Sequence, residues 1–158
     1  MNLPNTLAQH LSPLFDALSL DESMAHLVVQ MPHSAKVTSI VEELIDGQHV
    51  GEQSPLAAGL WLYVDELDRS HEVSQSLPDA TGSFWHGIMH RREGDFGNSH
   101  YWFQRTGHHP AIEDVAGYEP HDFIDAVQSH FRTPPNELVT IQRAEWTALF
   151  AWCAHNCV

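Results

Sequence analysis

Residues 55–77 read PLAAGLWLYVDELDRSHEVSQSL, and their spacing decides the fold. Leu60, Val64, Leu67 and His71 recur at offsets of 4, 3 and 4. On a helical period that puts all four on one stripe. Trp61, Asp65, Asp68 and Glu72 form the adjacent stripe. Pro55 suits the first turn, where a missing N–H leaves nothing unsatisfied. The spacing predicts one helix over 55–77, with the imidazole of His71 on its apolar side.

Working outward, LPDATG at 77–82 breaks that helix, and Thr81 or Ser83 can cap a second one over 83–93 that stops at Gly94. A third piece, 98–106, runs from Asn98 to Gly107, and Pro110 closes the loop after it. Upstream, Leu7, Leu11, Leu14 and Leu18 predict a helix over 5–18 with Pro13 awkward inside it. A short apolar stretch occupies 22–31, and Val37, Ile40, Val41, Leu44 and Ile45 predict a helix over 34–46 before Gly47. Downstream, Pro120 opens a helix to about 131, and 136–155 supplies Leu138, Ile141, Trp146, Leu149, Phe150 and Cys153 to a core. No sustained period-two alternation signals a strand. The expectation is one all-α domain over 1–158, a bundle of six or seven helices around a central antiparallel helical hairpin.

Composition narrows the partners. Lys plus Arg number 7 against 21 acids, a formal charge of −14 with 13 histidines besides. Such a surface repels phosphate backbones, so nucleic acid is excluded as an expected partner. No apolar run approaches the length that spans a bilayer. The opening MNLPNTLAQHLSPLF lacks a basic start and a continuous apolar stretch, so it does not read as a signal peptide. Cys153 and Cys157 have the spacing of neither a redox pair nor a zinc ribbon and read as reduced thiols, giving a cytoplasmic expectation. A small-molecule ligand is the expected partner, with room for a homo-oligomer.

Against that acidity, residues 83–110 gather three of the seven basic side chains, Arg91, Arg92 and Arg105, with five histidines and two tryptophans. Folding 55–77 back on 83–93 about residue 80 sets His71 opposite residue 89 and Asp68 opposite Arg92. His86, His90 and Glu93 stand at i, i+4 and i+7 on one edge of their helix. Three imidazoles and a carboxylate then converge, a donor set for a divalent zinc, iron, nickel or manganese ion. The expected metal ligands are His71, His86, His90 and Glu93. Glu93, His90 and Asp68 are the expected acid–base residues, with Glu93 and a histidine able to act even without metal. Arg91, Arg92 and Arg105 offer forked hydrogen bonds to an anionic group, with Trp102 as a stacking surface and His109 as a further contact.

Each assignment has a plainer counterpart. His71 on an apolar stripe also reads as a satisfied core histidine, Glu93 as an ion-pair partner of a nearby arginine, and Asp68–Arg92 as a bridge that fixes register. Tyr101, Trp102 and Phe103 point three ways from a helix and read mostly as core. The spacing H-x3-H-x2-E is not H-E-x-x-H, and Asp68-Arg-Ser-His71 lacks the second copy that a carboxylate di-metal bundle needs. His121–Asp122 resembles the pair of HD-type phosphohydrolases, but no Asp follows Asp125 to supply the late ligand.

The run Trp85-His86-Gly-Ile-Met-His90-Arg91-Arg92-Glu93-Gly-Asp95, then Asn98, Tyr101-Trp102-Phe103, Arg105, Gly107 and His109-Pro110, resembles a signature of uncharacterised bacterial and fungal proteins. GLWLYVDELDRSHEVSQ resembles their upstream segment, so the likeness spans about residues 56–110. It implies a recurring sequence unit and brings no activity with it. The residues themselves support a metal-dependent or His/Glu acid–base enzyme, hydrolase- or lyase-like, acting on a small anionic or polar metabolite. The other expectations are a non-catalytic binding module for an anionic metabolite or sugar, and a helical interaction protein without a site.

Overall fold

Proline, aspartate and glycine decide where the helical periodicity is interrupted, and they interrupt it more often than spacing alone suggests. The computed structural model describes residues 1–157, which form ten α-helices and no strand. In order these are α1 (Asn5–Ala17), α2 (Leu20–Ser23), α3 (Ala35–Asp46), α4 (Pro55–Tyr63), α5 (Leu67–Ser76), α6 (Ala80–Glu93), α7 (Phe96–Thr106), α8 (Pro110–Glu113), α9 (Pro120–His130) and α10 (Asn136–Asn156). The chain is all-α, as its periodicities predict. The count exceeds six or seven because α2 and α8 are single turns built on local caps, and because 55–77 divides. No helix among the described residues is long and apolar enough to cross a membrane.

The division of 55–77 corrects the single-helix expectation. Asp65 takes a left-handed backbone, φ 62°, a conformation Asp tolerates better than most residues. The last carbonyls of α4 find donors from elsewhere in the chain. Arg92 Nη1 donates to Leu62 O at 3.1 Å, Ser23 Oγ to Tyr63 O at 2.5 Å, and the His33 N–H to Val64 O at 3.0 Å. With those acceptors occupied, α5 starts a new helix in a new direction.

Asp79, rather than Thr81 or Ser83, caps α6: its side chain accepts the Gly82 N–H at 2.8 Å. The helix therefore begins at Ala80 and ends, as expected, at Gly94 with φ 91°. Asp95 likewise caps α7 ahead of Asn98. Asp65 meets Arg92 while His71 meets His86, so one arm advances as the other recedes. That is the register of an antiparallel hairpin between the α4–α5 arm and α6.

Every residue of α6 from Thr81 to Arg92 is buried, so this helix is the axis of the molecule. α5 covers one side and α7 another, while Trp85 faces Trp146 of α10, ring centroids 6.5 Å apart. Close approach needs missing side chains. A Cβ on Gly87 would lie 2.7 Å from the Phe103 ring, and one on Gly59 would lie 2.8 Å from Trp85. Trp146 Nε1 donates to the Gly59 carbonyl at 3.0 Å. One continuous apolar core runs from Leu7 to Ala154, each fully buried Leu or Phe contributing roughly 1.5–3 kcal/mol.

Candidate metal centre

Two buried arginines set the rotation of α6, and with it the direction of its histidines. Arg91 is fully buried and donates twice to the equally buried Glu145 of α10, at 2.7 and 2.5 Å. Its guanidinium also lies 4.5 Å over the Phe123 ring. Glu145 accepts a further hydrogen bond from the Tyr118 hydroxyl. Burial, then Glu145, holds the Tyr118 phenol well above its ordinary pKa, so it remains a donor. Arg92, also fully buried, has Nη2 2.8 Å from Asp65 Oδ1, close enough to pair charges though not aligned as a hydrogen bond. Burial raises the Asp65 pKa against the opposing pull of Arg92.

These pairs correct three expectations. Arg91 and Arg92 do not offer their guanidinium groups to a ligand, because buried carboxylates already neutralise both. The register-fixing bridge exists, but Arg92 makes it with Asp65 instead of Asp68. Asp68 is exposed and joins no ion pair among the described residues.

On the opposite side of α6 the three histidines do converge. His71 lies with its ring centroid 4.6 Å from His86 and 5.4 Å from His90, edge-on to both. His86 and His90, one turn apart, stack at 4.8 Å and 14°. One ring nitrogen from each falls within 4.8 Å of the others, against roughly 3.3 Å between imidazoles on one tetrahedral zinc. His71 is half-buried and gives the cluster its solvent edge; His86 and His90 are buried.

His86 is the anomalous member. Only 1% exposed, it has no hydrogen-bond partner on either ring nitrogen. An unsatisfied buried polar group costs on the order of 1–3 kcal/mol. Trp102 of α7 stacks on the ring at 3.8 Å and 14°, fixing its plane. Burial, then the neighbouring His90 and His71, pulls its pKa down to about 3. The ring is therefore neutral, the form that binds metal.

Glu93 stands beside the triad as an orienting carboxylate. Its Oε1 lies 2.5 Å from His90 Nδ1. In a neutral His90, a carboxylate at Nδ1 holds the proton there and leaves Nε2 with the lone pair, the arrangement common behind metal-bound histidines. Glu93 therefore falls outside the three-histidine group in which it was expected. It shares a second set with His90 and Asp95, although Asp95 is already engaged by Asn98 as the α7 cap. Glu93 also lines a groove of about 270 Å³ with Asp65, Glu66 and Asp68. Glu93 and Asp68, both proposed from spacing, thus share one groove, which none of His71, His86 and His90 lines; Glu93 links it to the cluster through His90.

The remaining expected contacts lie elsewhere. Trp102 stacks, but on His86. Arg105 is exposed, 5.4 Å over the outer Trp102 ring and 5.9 Å over Tyr101. His109 is buried as the cap of α8: its Nδ1 accepts the Ala111 N–H at 3.2 Å and Nε2 meets Thr81 Oγ1 at 3.3 Å. Both of its nitrogens are used, so it does not serve the cluster. Spacing missed Glu145, Asp65 and Tyr118, which anchor α6; their only sequence signal is an excess of acids over bases.

No protein-family model, curated protein or solved structure matches the chain.

Proposed function

We propose that His71, His86 and His90 form a three-histidine site for a divalent zinc, iron, nickel or manganese ion, and that the site is hydrolytic or lytic. The observation that carries this reading is His86: two buried, unpartnered ring nitrogens on a neutral imidazole inside a histidine triad. Three nitrogen donors and an open position are the donor set of catalytic zinc, and a bound ion of this kind supplies hydroxide near neutral pH. Glu93 orients His90 through Nδ1 and, being part-exposed, can accept a proton from water or substrate on its groove side. Asp68 provides a second acceptor on that wall. Because Glu66, Asp68 and Glu93 line the groove without an arginine partner and Arg92 is already paired with Asp65, the substrate favoured is a small polar metabolite, uncharged or cationic, over an anion.

Elemental analysis of untagged protein tests the proposal. Close to one ion per chain is expected after exposure to each of the four metals in turn. The ion should be lost in a folded His86→Ala/His90→Ala variant and held about 10–100-fold more weakly in Glu93→Gln. Failure to retain any of the four metals, or retention undiminished in the double variant, overturns the reading in favour of a structural histidine cluster.

A further inference from the structure

A second constellation lies on α7 and α9, apart from the histidine triad, and involves the His121 whose motif was set aside above. His100 Nε2 is 3.0 Å from Asp125 Oδ1, and His100 Nδ1 is 2.8 Å from His121 Nδ1, the rings parallel at 5.1 Å and 3°. With both rings neutral, the contacts place the protons. A carboxylate only accepts, so Nε2 of His100 carries a hydrogen; in neutral His100 the Nδ1 is then a lone pair. Two lone pairs cannot face each other at hydrogen-bond distance, so His121 donates Nδ1–H. Its Nε2 is left as a bare acceptor, and no partner within the described chain takes it up.

His121 lines a groove of about 430 Å³ between α7, α8 and α9 whose wall includes Phe103, Ile112 and Pro120. That is the volume of a small-molecule site with a mainly apolar surface, and Gln104, His108 and His109 also line it beside His121. Glu113 and Glu119 stand at its edge, Glu113 paired with His108 at 2.9 Å. Carboxylates there disfavour an anion.

We propose that this groove is a second ligand site. It takes a small amphipathic molecule with an apolar body, one O–H or N–H donor and no anionic group, and the donor bonds His121 Nε2. Asp125 and His100 act as positioning residues that hold His121 in the accepting tautomer. The proposal is independent of the metal reading.

Phenol, toluene and benzoate are the probes, followed by NMR titration of the whole chain with the histidine ring nitrogens labelled. In the free protein the His121 Nδ1 should carry the proton and Nε2 should not. Phenol should bind in the groove about fivefold more tightly than toluene, the worth of one hydrogen bond, and benzoate more weakly than phenol. In His100→Phe the advantage of phenol should fall to within about twofold while toluene binding is unchanged, which shows the groove intact. Asp125→Ala, at an exposed position, gives the same comparison should His100→Phe misfold. A proton on Nε2 of His121, equal affinity for phenol and toluene, or no response of the groove resonances to either probe refutes the proposal.

Discussion

Removing Glu145 tests whether α6 is held in place by buried charge. In Glu145→Ala the fully buried Arg91 keeps its charge but loses both hydrogen bonds to carboxylate, leaving the Phe123 face as its near neighbour. The Tyr118 hydroxyl loses its acceptor at the same time. Breaking one side of a buried ion pair costs about 3–5 kcal/mol. Domains of this size have about 5–15 kcal/mol in total, and each kcal/mol moves Tm by about 2–4 °C. Urea unfolding followed by circular dichroism should therefore show a loss of about 3–5 kcal/mol, and Tm should drop by roughly 6–20 °C. Removing all the polar partners together, as Arg91→Met/Glu145→Leu/Tyr118→Phe, should recover most of that loss, since an apolar replacement leaves no charge unpaired. The reasoning fails if Glu145→Ala loses under about 1 kcal/mol, or if the triple variant is as unstable as the single one.

Two further predictions concern the histidine edge and the packing behind it. In the metal-free protein, folded His86 stays neutral to about pH 3 while its unfolded counterpart protonates below about 6.5. The unfolded state then binds the extra proton, so stability should fall as pH drops through that window, by on the order of 1 kcal/mol per pH unit, and be flat above it. Chemical denaturation of wild type and His86→Phe across pH 4–7 checks this, and parallel curves would show that His86 is not the group responsible. Gly87→Ala drives a methyl into the Phe103 ring at 2.7 Å and should cost about 1–3 kcal/mol. Adding Phe103→Leu should offset part of that cost, whereas strictly additive losses in the double-mutant cycle would show that the two residues do not press on each other.

The convergence of His71, His86 and His90 was legible because it depends only on quantities that sequence carries. Helical period sets which residues share an edge, and a short linker sets the register of a hairpin. The break at Asp65 was not legible, because no Gly or Pro marks it; the donors that occupy the Leu62, Tyr63 and Val64 carbonyls come from residues 23, 33 and 92. The arginines misled for a related reason. An Arg beside a His on a helix reads as an anion contact until its partner is known, and the partners, Glu145 and Asp65, lie in segments that no local pattern connects to residues 91 and 92. With 21 acids to 7 bases, a buried guanidinium in this chain was always more apt to meet a carboxylate from its own fold than to wait for one from a ligand.

The histidines differ from the arginines in this respect. On one side of α6 the fold pairs each buried cation with a carboxylate, and on α8 it gives buried His109 a partner for both nitrogens. His90 has Glu93. Among the described buried histidines, arginines and acids, His86 alone has neither an ion pair nor a hydrogen bond. Trp85 Nε1, Gln142 Oε1 and the Nε atoms of Arg91 and Arg92 are also buried without partners, but His86 is the one buried histidine, arginine or acid whose side chain has none at all. The fold surrounds His86 with two further imidazoles and an aromatic plate, which hold the ring still and leave its lone pair unclaimed. An imidazole kept neutral and unbonded next to two others has the donors to hold a metal ion, and that is the ground of the reading proposed above.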